Sequence, residues 1–253
     1  HIRIVVSCMY EIEIKSLLGS KERADELKRR LVQLFPALKT LPPHTQRNHY
    51  FKLSSQAAQG IAATTNAAHT NEEIKVLSVV EKVVAPLYPS KEKRTELSRI
   101  LANVKGEVSI RTREADGKVF FILKASIGDD TSANGVSRIE FEEPVNLSLE
   151  ELDKKLFGAG LSYQAKWSRE REEYLCKGIT VCLDKNAGYG YVAEFEKMID
   201  MAEHASEAQK ELRELMAALD VVELPQDRLE RMFAFYNQNW PDYYGTEKIF
   251  VID

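Results

Sequence analysis

No apolar run in this chain of 253 residues approaches the roughly 18 residues that a membrane-spanning helix requires, because charges interrupt each hydrophobic stretch within a turn or two. Cysteine is scarce. Cys8, Cys176 and Cys182 are an odd number without metal-ligand spacing. A disulfide framework and a cysteine-built zinc site are therefore unsupported, and a reducing cytoplasm is the simplest compartment. Positive charge is not in excess: 35 Lys plus Arg stand against 39 Asp plus Glu, a net charge of -4. Nothing draws the whole molecule to nucleic acid or anionic lipid, so any anion site has to be local. His44, His49, His69 and His204 show no metal-like pairing and read as surface or loop residues. There is no internal repeat.

What remains is an ordinary globular composition, 44% hydrophobic, 29% charged and 9% aromatic, at a length that one barrel with helical additions would use. Residues 1–8, HIRIVVSC, precede Met9 and read as vector-derived or leader sequence, or as the start of a real strand. Alternation over 10–17 predicts a strand. A helix capped by Ser20 follows, with Ala24, Leu27, Leu31 and Leu34 on one stripe and Pro36 as its stop. Residues 46–53 fit a second strand. From about 54 to 106 the pattern departs: an uncharged Ala, Thr and Asn tract leads into two helical periodicities, one around Ile74, Leu77, Val80 and Val84, the other from Ser90 to Gly106. This stretch reads as an insert. Alternating runs broken by Asp116-Gly117 and by 128–135 predict antiparallel hairpins. Ser148-Leu149-Glu150-Glu151 is a capping box, and helical periodicities cover 200–219 and 225–236.

The informative feature is the polar face of the strands. In Glu11-Ile12-Glu13-Ile14-Lys15 a period of two puts both carboxylates and the ammonium on one face and both isoleucines on the other. The layout recurs in Ile110-Arg111-Thr112-Arg113, in Arg138-Ile139-Glu140-Phe141-Glu142 and in Glu194-Phe195-Glu196, and Arg169 and Arg171 share a face of a further strand. Any one of these alone is an antiparallel strand with a solvated face and cross-strand ion pairs. Together they lie on strands whose other faces are apolar, so a barrel built from them with helices packed outside would have a charged lumen. Arginines beside carboxylates suit a polyphosphate with a divalent metal, since guanidinium forks take phosphate oxygens and carboxylates take Mg²⁺ or Mn²⁺.

These residues resemble the CYTH superfamily, the triphosphate tunnel metalloenzymes. Glu11 to Lys15 is similar to the ExExK motif of that family's first strand. In chain order, QRNHYF at 46–51 resembles its second strand, 110–113 its paired-arginine strand, Leu123-Lys124 its Leu-Lys strand end and 138–142 its acidic strand. Arg171-Glu172-Glu173-Tyr174 resembles the later arginine strand, Leu183-Asp184 its Leu-Asp, and GYVAEFE at 190–196 the Gly-x-x-x-Glu-x-Glu strand that completes a metal site. The resemblance implies an α+β fold, an antiparallel eight-stranded β-barrel tunnel with helices packed outside, formed as one domain over 9–253. Carried over by position, it implies Glu11, Glu13, Glu194 and Glu196 as ligands of Mg²⁺ or Mn²⁺, with Asp184, Glu140 and Glu142 as further acidic lining. It implies Lys15, Arg111, Arg113, Lys124 and Arg171 as the triphosphate site, Arg169 joining from the same strand face, and Lys15, Glu13 and Arg171 as catalytic residues. Two departures stand out: Lys52 occupies a position where an acid is expected, and the 54–106 link is unusually long. That insert either caps a tunnel mouth or only adds packing.

The implied chemistry is phosphoryl transfer by charge neutralisation and positioning. Three functions stay open. The first is metal-dependent hydrolysis of inorganic triphosphate, thiamine triphosphate or a nucleoside triphosphate such as ATP. The second is a CyaB-type adenylyl cyclase, and the third a noncatalytic polyphosphate-binding module. The expected partner is a small-molecule triphosphate, not nucleic acid or membrane; the oligomeric state is open, and a homodimer is compatible with it. Trp167, Trp240, Tyr243 and Tyr244 read as packing residues, with stacking on a substrate ring as the alternative. Cys176 and Cys182 read as buried strand residues and the 21–30 helix face as solvated.

Overall fold

A computed structural model of the protein describes residues 10–54, 71–104, 108–126 and 138–252, with backbone alone at 71–75, 103, 125–126 and 138–140. The expectations for 1–8, for Met9, for the 55–70 tract with His69, and for the 128–135 turn lie outside the described residues, as does the side chain of Glu140. The elements in order are β1 (Tyr10–Gly19), α1 (Lys21–Leu34), β2 (Lys39–Thr40), β3 (His44–Leu53), α2 (Asn71–Val84), α3 (Lys91–Asn103), β4 (Val108–Ala115), β5 (Lys118–Ser126), β6 (Arg138–Val145), α4 (Leu149–Gly158), β7 (Leu161–Cys176), β8 (Ile179–Asn186), β9 (Gly190–Ile199), α5 (Ala205–Ala218) and α6 (Gln226–Asn239).

All described strand pairs are antiparallel and follow the order β7-β3-β4-β5-β6-β1-β9-β8, and β8 pairs in turn with β7, so the pairings of eight strands run round a ring. β7 makes this return possible because it is 16 residues long. Leu161 to Arg171 pairs with β3, while Arg169 to Cys176 pairs with β8. The described pairing is thinnest between β1 and β6, where Glu11 lies opposite Arg138. A ninth strand, the two-residue β2, sits beside Tyr174 and Leu175 of β7; it is too short to leave a period in the sequence.

Local chemistry sets the element ends. The β4–β5 turn needs positive φ at both central residues, and Asp116 and Gly117 supply it at 51° and 70°. Ser20 accepts from the Arg23 backbone N–H at the start of α1. The expected capping box of α4 is complete, since Ser148 and Glu151 each accept from the other's backbone N–H.

The apolar strand faces point out and are covered by helices. Ile12, Ile14, Val181, Leu183 and Phe195 pack with Leu27 and Leu31 of α1 and with Leu212 and Met216 of α5. On another side Ile110, Phe121, Leu123 and Phe141 pack with Val80 and Val84 of α2, Leu97 and Ile100 of α3, and Leu152 and Leu156 of α4. The two helices of the insert therefore lie against the outer face of the sheet. His49 departs from the surface expectation. It is buried on the outward face of β3, where its Nδ1 pairs with Asp153 Oδ2 of α4 at 2.7 Å, and Thr112 Oγ1 and Tyr163 OH donate to the same carboxylate at 2.8 and 2.6 Å. A strand period that turns Asn48 and Tyr50 inward turns His49 out beneath the helix.

Along the inward face, charge gives way to apolar residues in step on three strands. Glu11, Glu13 and Lys15 lead to Leu17 on β1, Glu196 and Glu194 to Val192 on β9, and Arg171 and Arg169 to Trp167 and Ala165 on β7. Those apolar residues join Tyr189, Met232 and Tyr236 of α6, and Phe250, in one cluster. The ring is thus filled by aromatic packing at one end and lined by charge beyond it. Among the described residues no helix is long and apolar enough to cross a membrane.

Candidate active site

Cross-strand register decides which charges meet. Glu13 lies opposite Glu196 and Lys15 opposite Glu194 on β1 and β9, and Arg171 lies opposite Asp184 on β7 and β8. Arg111 and Arg113 project inward from β4 and Lys124 from β5, with the Glu140 backbone opposite Lys124. Arg169, placed only by its strand face in the sequence, projects into the same space as Arg171, and both contact Asp184 and Glu194.

Three of the acidic residues converge. Glu11, Glu13 and Glu196 each bring a carboxylate oxygen within 4.8 Å of the others, a group able to hold a metal ion. Lost hydration on burial is the main cause that raises the Glu196 carboxyl to about 7; Arg171 opposes the rise, and the Glu194 and Glu11 charges reinforce it. A carboxyl pushed toward neutrality by burial and by neighbouring carboxylates is what a divalent cation would relieve, and hard oxygen donors suit Mg²⁺ or Mn²⁺.

Asp184, Glu194 and Glu142 lie outside that group and are engaged by cations, which also reach Glu11, Glu13 and Glu196 through Lys124, Lys15 and Arg171. Arg171 Nε and Nη2 donate to Asp184 Oδ1 and Oδ2 at 2.8 and 2.6 Å, a bidentate fork onto a carboxylate with no exposure, and Nη2 also reaches Glu194. Arg169 Nη1 donates to Asp184 Oδ2 at 2.9 Å and to Glu194 Oε2 at 3.3 Å. Lys15 Nζ donates to Glu194 Oε1 at 3.0 Å and lies against Glu13. Burial works against the Glu194 charge, yet Lys15, Arg171 and Arg169 hold its carboxyl well below the usual range. Lys124 Nζ donates to Glu11 Oε2 and Arg113 Nη1 to Glu142 Oε1, both at 2.8 Å. Of the seven acids expected to line a metal site, the metal-competent group among the described residues is Glu11, Glu13 and Glu196.

The inner face of β3 adds three residues that carry no charge signal in the sequence. Gln46 Oε1 accepts from Arg169 Nε, Asn48 Oδ1 from Arg113 Nε, and Tyr50 OH from Arg111 Nη1, each at 2.8 Å. Their alternation was visible, but neutral side chains carry no charge to mark a lumen. Tyr50 is acidic for a phenol: burial pushes it up, but Arg111, Arg169 and Arg113 together bring it down to about 8. The other aromatics pack as expected. Trp167 lies 3.8 Å from the Tyr236 ring centroid, and Trp240 and Tyr244 join Tyr163 around Lys166 Nζ.

The family model described as CYTH domain matches residues 98–226. No curated protein matches the chain. Solved structures do. A candidate adenylate cyclase from Vibrio parahaemolyticus is 12% identical over 89% of this chain and 98% of its own, with a TM-score of 0.55. A Pyrococcus horikoshii protein is 17% identical over 88% and 99%, with a TM-score of 0.54. A conserved hypothetical protein from Pyrococcus furiosus is 15% identical over 84% and 91%, with a TM-score of 0.53. At these identities the likeness is one of fold.

Proposed function

The chain belongs to the CYTH domain family, and from that premise we propose that it is a metal-dependent triphosphate-processing enzyme that hydrolyses inorganic triphosphate or an organic triphosphate held in the charged lumen. One observation carries this reading: a single ring of strands brings a three-carboxylate group able to hold a cation together with Lys15, Arg111, Arg113, Lys124, Arg169 and Arg171. A polyphosphate demands both at once, metal for its oxygens and fixed cations along its length.

In this reading Glu11, Glu13 and Glu196 hold Mg²⁺ or Mn²⁺, which when bound neutralises phosphate oxygens and acidifies a water nucleophile. Arg111, Arg113, Lys124, Arg169 and Arg171 bind the phosphate oxygens. Carboxylates already hold Arg113, Arg169, Arg171, Lys124 and Lys15. A phosphate group presents the same pair of oxygens to a guanidinium fork and can take the place of a carboxylate there. Asp184 and Glu194 orient Arg171, and Lys15 stands between Glu13 and Glu194, where it would stabilise charge developing beside the metal group. The packed aromatic end leaves the charged stretch as the place where substrate binds. The enzyme domain spans 9–253, with α2 and α3 as an outer addition.

The test is product analysis. Purified protein with Mg²⁺ or Mn²⁺ is incubated separately with inorganic triphosphate, thiamine triphosphate and ATP. Orthophosphate release is expected. Cyclic AMP and pyrophosphate as dominant products from ATP, without orthophosphate from inorganic triphosphate, would replace the hydrolase with a cyclase. Tight binding without turnover would leave a polyphosphate-binding module.

A further inference from the structure

We propose that the inner face of β3 is a neutral positioning rail, on which Gln46, Asn48 and Tyr50 orient the guanidinium groups of Arg169, Arg113 and Arg111 without neutralising them. This rests on the triphosphate reading of the lumen.

Three alternate residues of one strand each accept from a different arginine at 2.8 Å. Successive inward positions on a strand lie roughly 7 Å apart, so the rail fixes arginines at intervals along the lumen. A guanidinium has five N–H donors in a rigid plane, so one bond to a neutral acceptor sets its orientation and leaves other donors for an anion. Arg113 and Arg169 use Nε in this way, and their Nη groups carry the bonds to acids. Arg111 also lies over the Tyr50 ring, 5.6 Å from its centroid. Gln46 and Asn48 are 4% and 3% exposed, so neither amide is there to meet solvent.

The chemical identity of the acceptors is the point. A carboxylate at 46 or 48 would make a stronger bond to its arginine but would cancel its charge and repel phosphate. An amide or phenol oxygen orients without competing. Tyr50 lies in the field of all three arginines: Arg111 and Arg113 from β4 and Arg169 from β7 act on it, beside the neutral rings of Trp167 and Tyr189, and lower its phenol to about 8 against its burial. A phosphate chain bound to those arginines would offset that field and return the phenol toward its ordinary range.

The experiment uses the full chain with Mg²⁺ and a bis-methylene triphosphonate, a triphosphate analogue that cannot be hydrolysed at its bridges, with binding measured by calorimetry. Asn48→Ala is expected to weaken binding about tenfold, the loss of one hydrogen bond to a charged group. Asn48→Asp keeps the acceptor, and a merely structural role would make it the rescuing variant; the rail predicts that it folds normally and binds more weakly than Asn48→Ala. Tyr50→Phe should abolish the phenolate absorbance step near pH 8, and in wild type that step should move up when the analogue binds. Asn48→Asp or Gln46→Glu binding like wild type, while Arg113→Ala loses binding, would overturn the rail and leave the triphosphate reading intact. Absence of binding to wild type would overturn that reading itself.

Discussion

Two arcs of one ring hold their charges differently, one by carboxylates and the other by neutral oxygens, joined on Arg113 by the Glu142 carboxylate. On β8, β9 and β1 the inward residues are Asp184, Glu194, Glu196, Glu11 and Glu13 with Lys15, and the partners of cations there are carboxylates. On β3 and β4 the inward residues are Gln46, Asn48 and Tyr50 with Arg111 and Arg113, and each arginine has a neutral oxygen as a partner. In the first arc burial, reinforced by the Glu194 and Glu11 charges, raises the Glu196 carboxyl; in the second, Arg111 and Arg113, joined by Arg169 of β7, lower the Tyr50 phenol against its burial. The lumen is polarised across its width, as a site for a cation and an anion side by side would need.

The largest expected effect falls on the acidic arc. Glu13→Gln and Glu196→Gln should each reduce metal-dependent turnover by more than about 100-fold while leaving the fold intact, because an amide of the same shape replaces a ligand without opening a cavity. Steady-state kinetics, Mn²⁺ calorimetry and circular dichroism check this together. Full activity in both variants would remove the metal site from this arc.

An arginine held by each arc gives the next contrast. Arg171→Ala removes the bidentate partner of the fully buried Asp184, leaving Arg169 beside it, and should cost about 3 kcal/mol of stability, the low end for breaking a buried ion pair. Arg111→Ala takes away the donor that the Tyr50 hydroxyl accepts from and should cost about 1 kcal/mol, while raising KM for triphosphate as much as Arg171→Ala does. Denaturant unfolding and KM measurements separate the two; equal stability losses would mean that the arcs do not differ.

The smallest effects are in pH dependence, and their signs are opposite. Glu196 ionises near 4.5 when unfolded and near 7 when folded, so its contribution is present at low pH and is lost as pH rises between those values in metal-free protein. Tyr50 ionises near 10 when unfolded and near 8 when folded, so its contribution appears as pH rises through that interval and is lost as pH falls through about 8. Melting temperatures across pH should therefore lose the low-pH slope in Glu196→Gln and the high-pH slope in Tyr50→Phe. Mg²⁺ or Mn²⁺, by binding the ionised carboxyl, should flatten the first slope only.

The period of two made the strands legible together with their faces: Ile12 and Ile14 went out, and Glu11, Glu13 and Lys15 went in, as their alternation required. The insert's helices were legible from their apolar spacing. Their seat on the outer sheet face was not, because Leu97 and Val84 specify an apolar partner but not which one. His49 was misplaced because its partner, Asp153, is 104 residues away in sequence on a helix that reads as amphipathic with or without it. The neutral rail went unnoticed because amides and a phenol look the same in a lumen as on a surface.

Residue type and alternation alone determined that this chain builds strands with one charged and one apolar face, while the enclosure of the charged faces comes from the ring of pairings. Only the tertiary structure decided the pairings. The stagger between β1 and β9, and the double pairing of β7, set Glu13 beside Glu196 but Arg171 on Asp184. Coulomb energy falls with distance and rises with burial, so those few ångströms separate a carboxyl that could take a metal from one that orients an arginine.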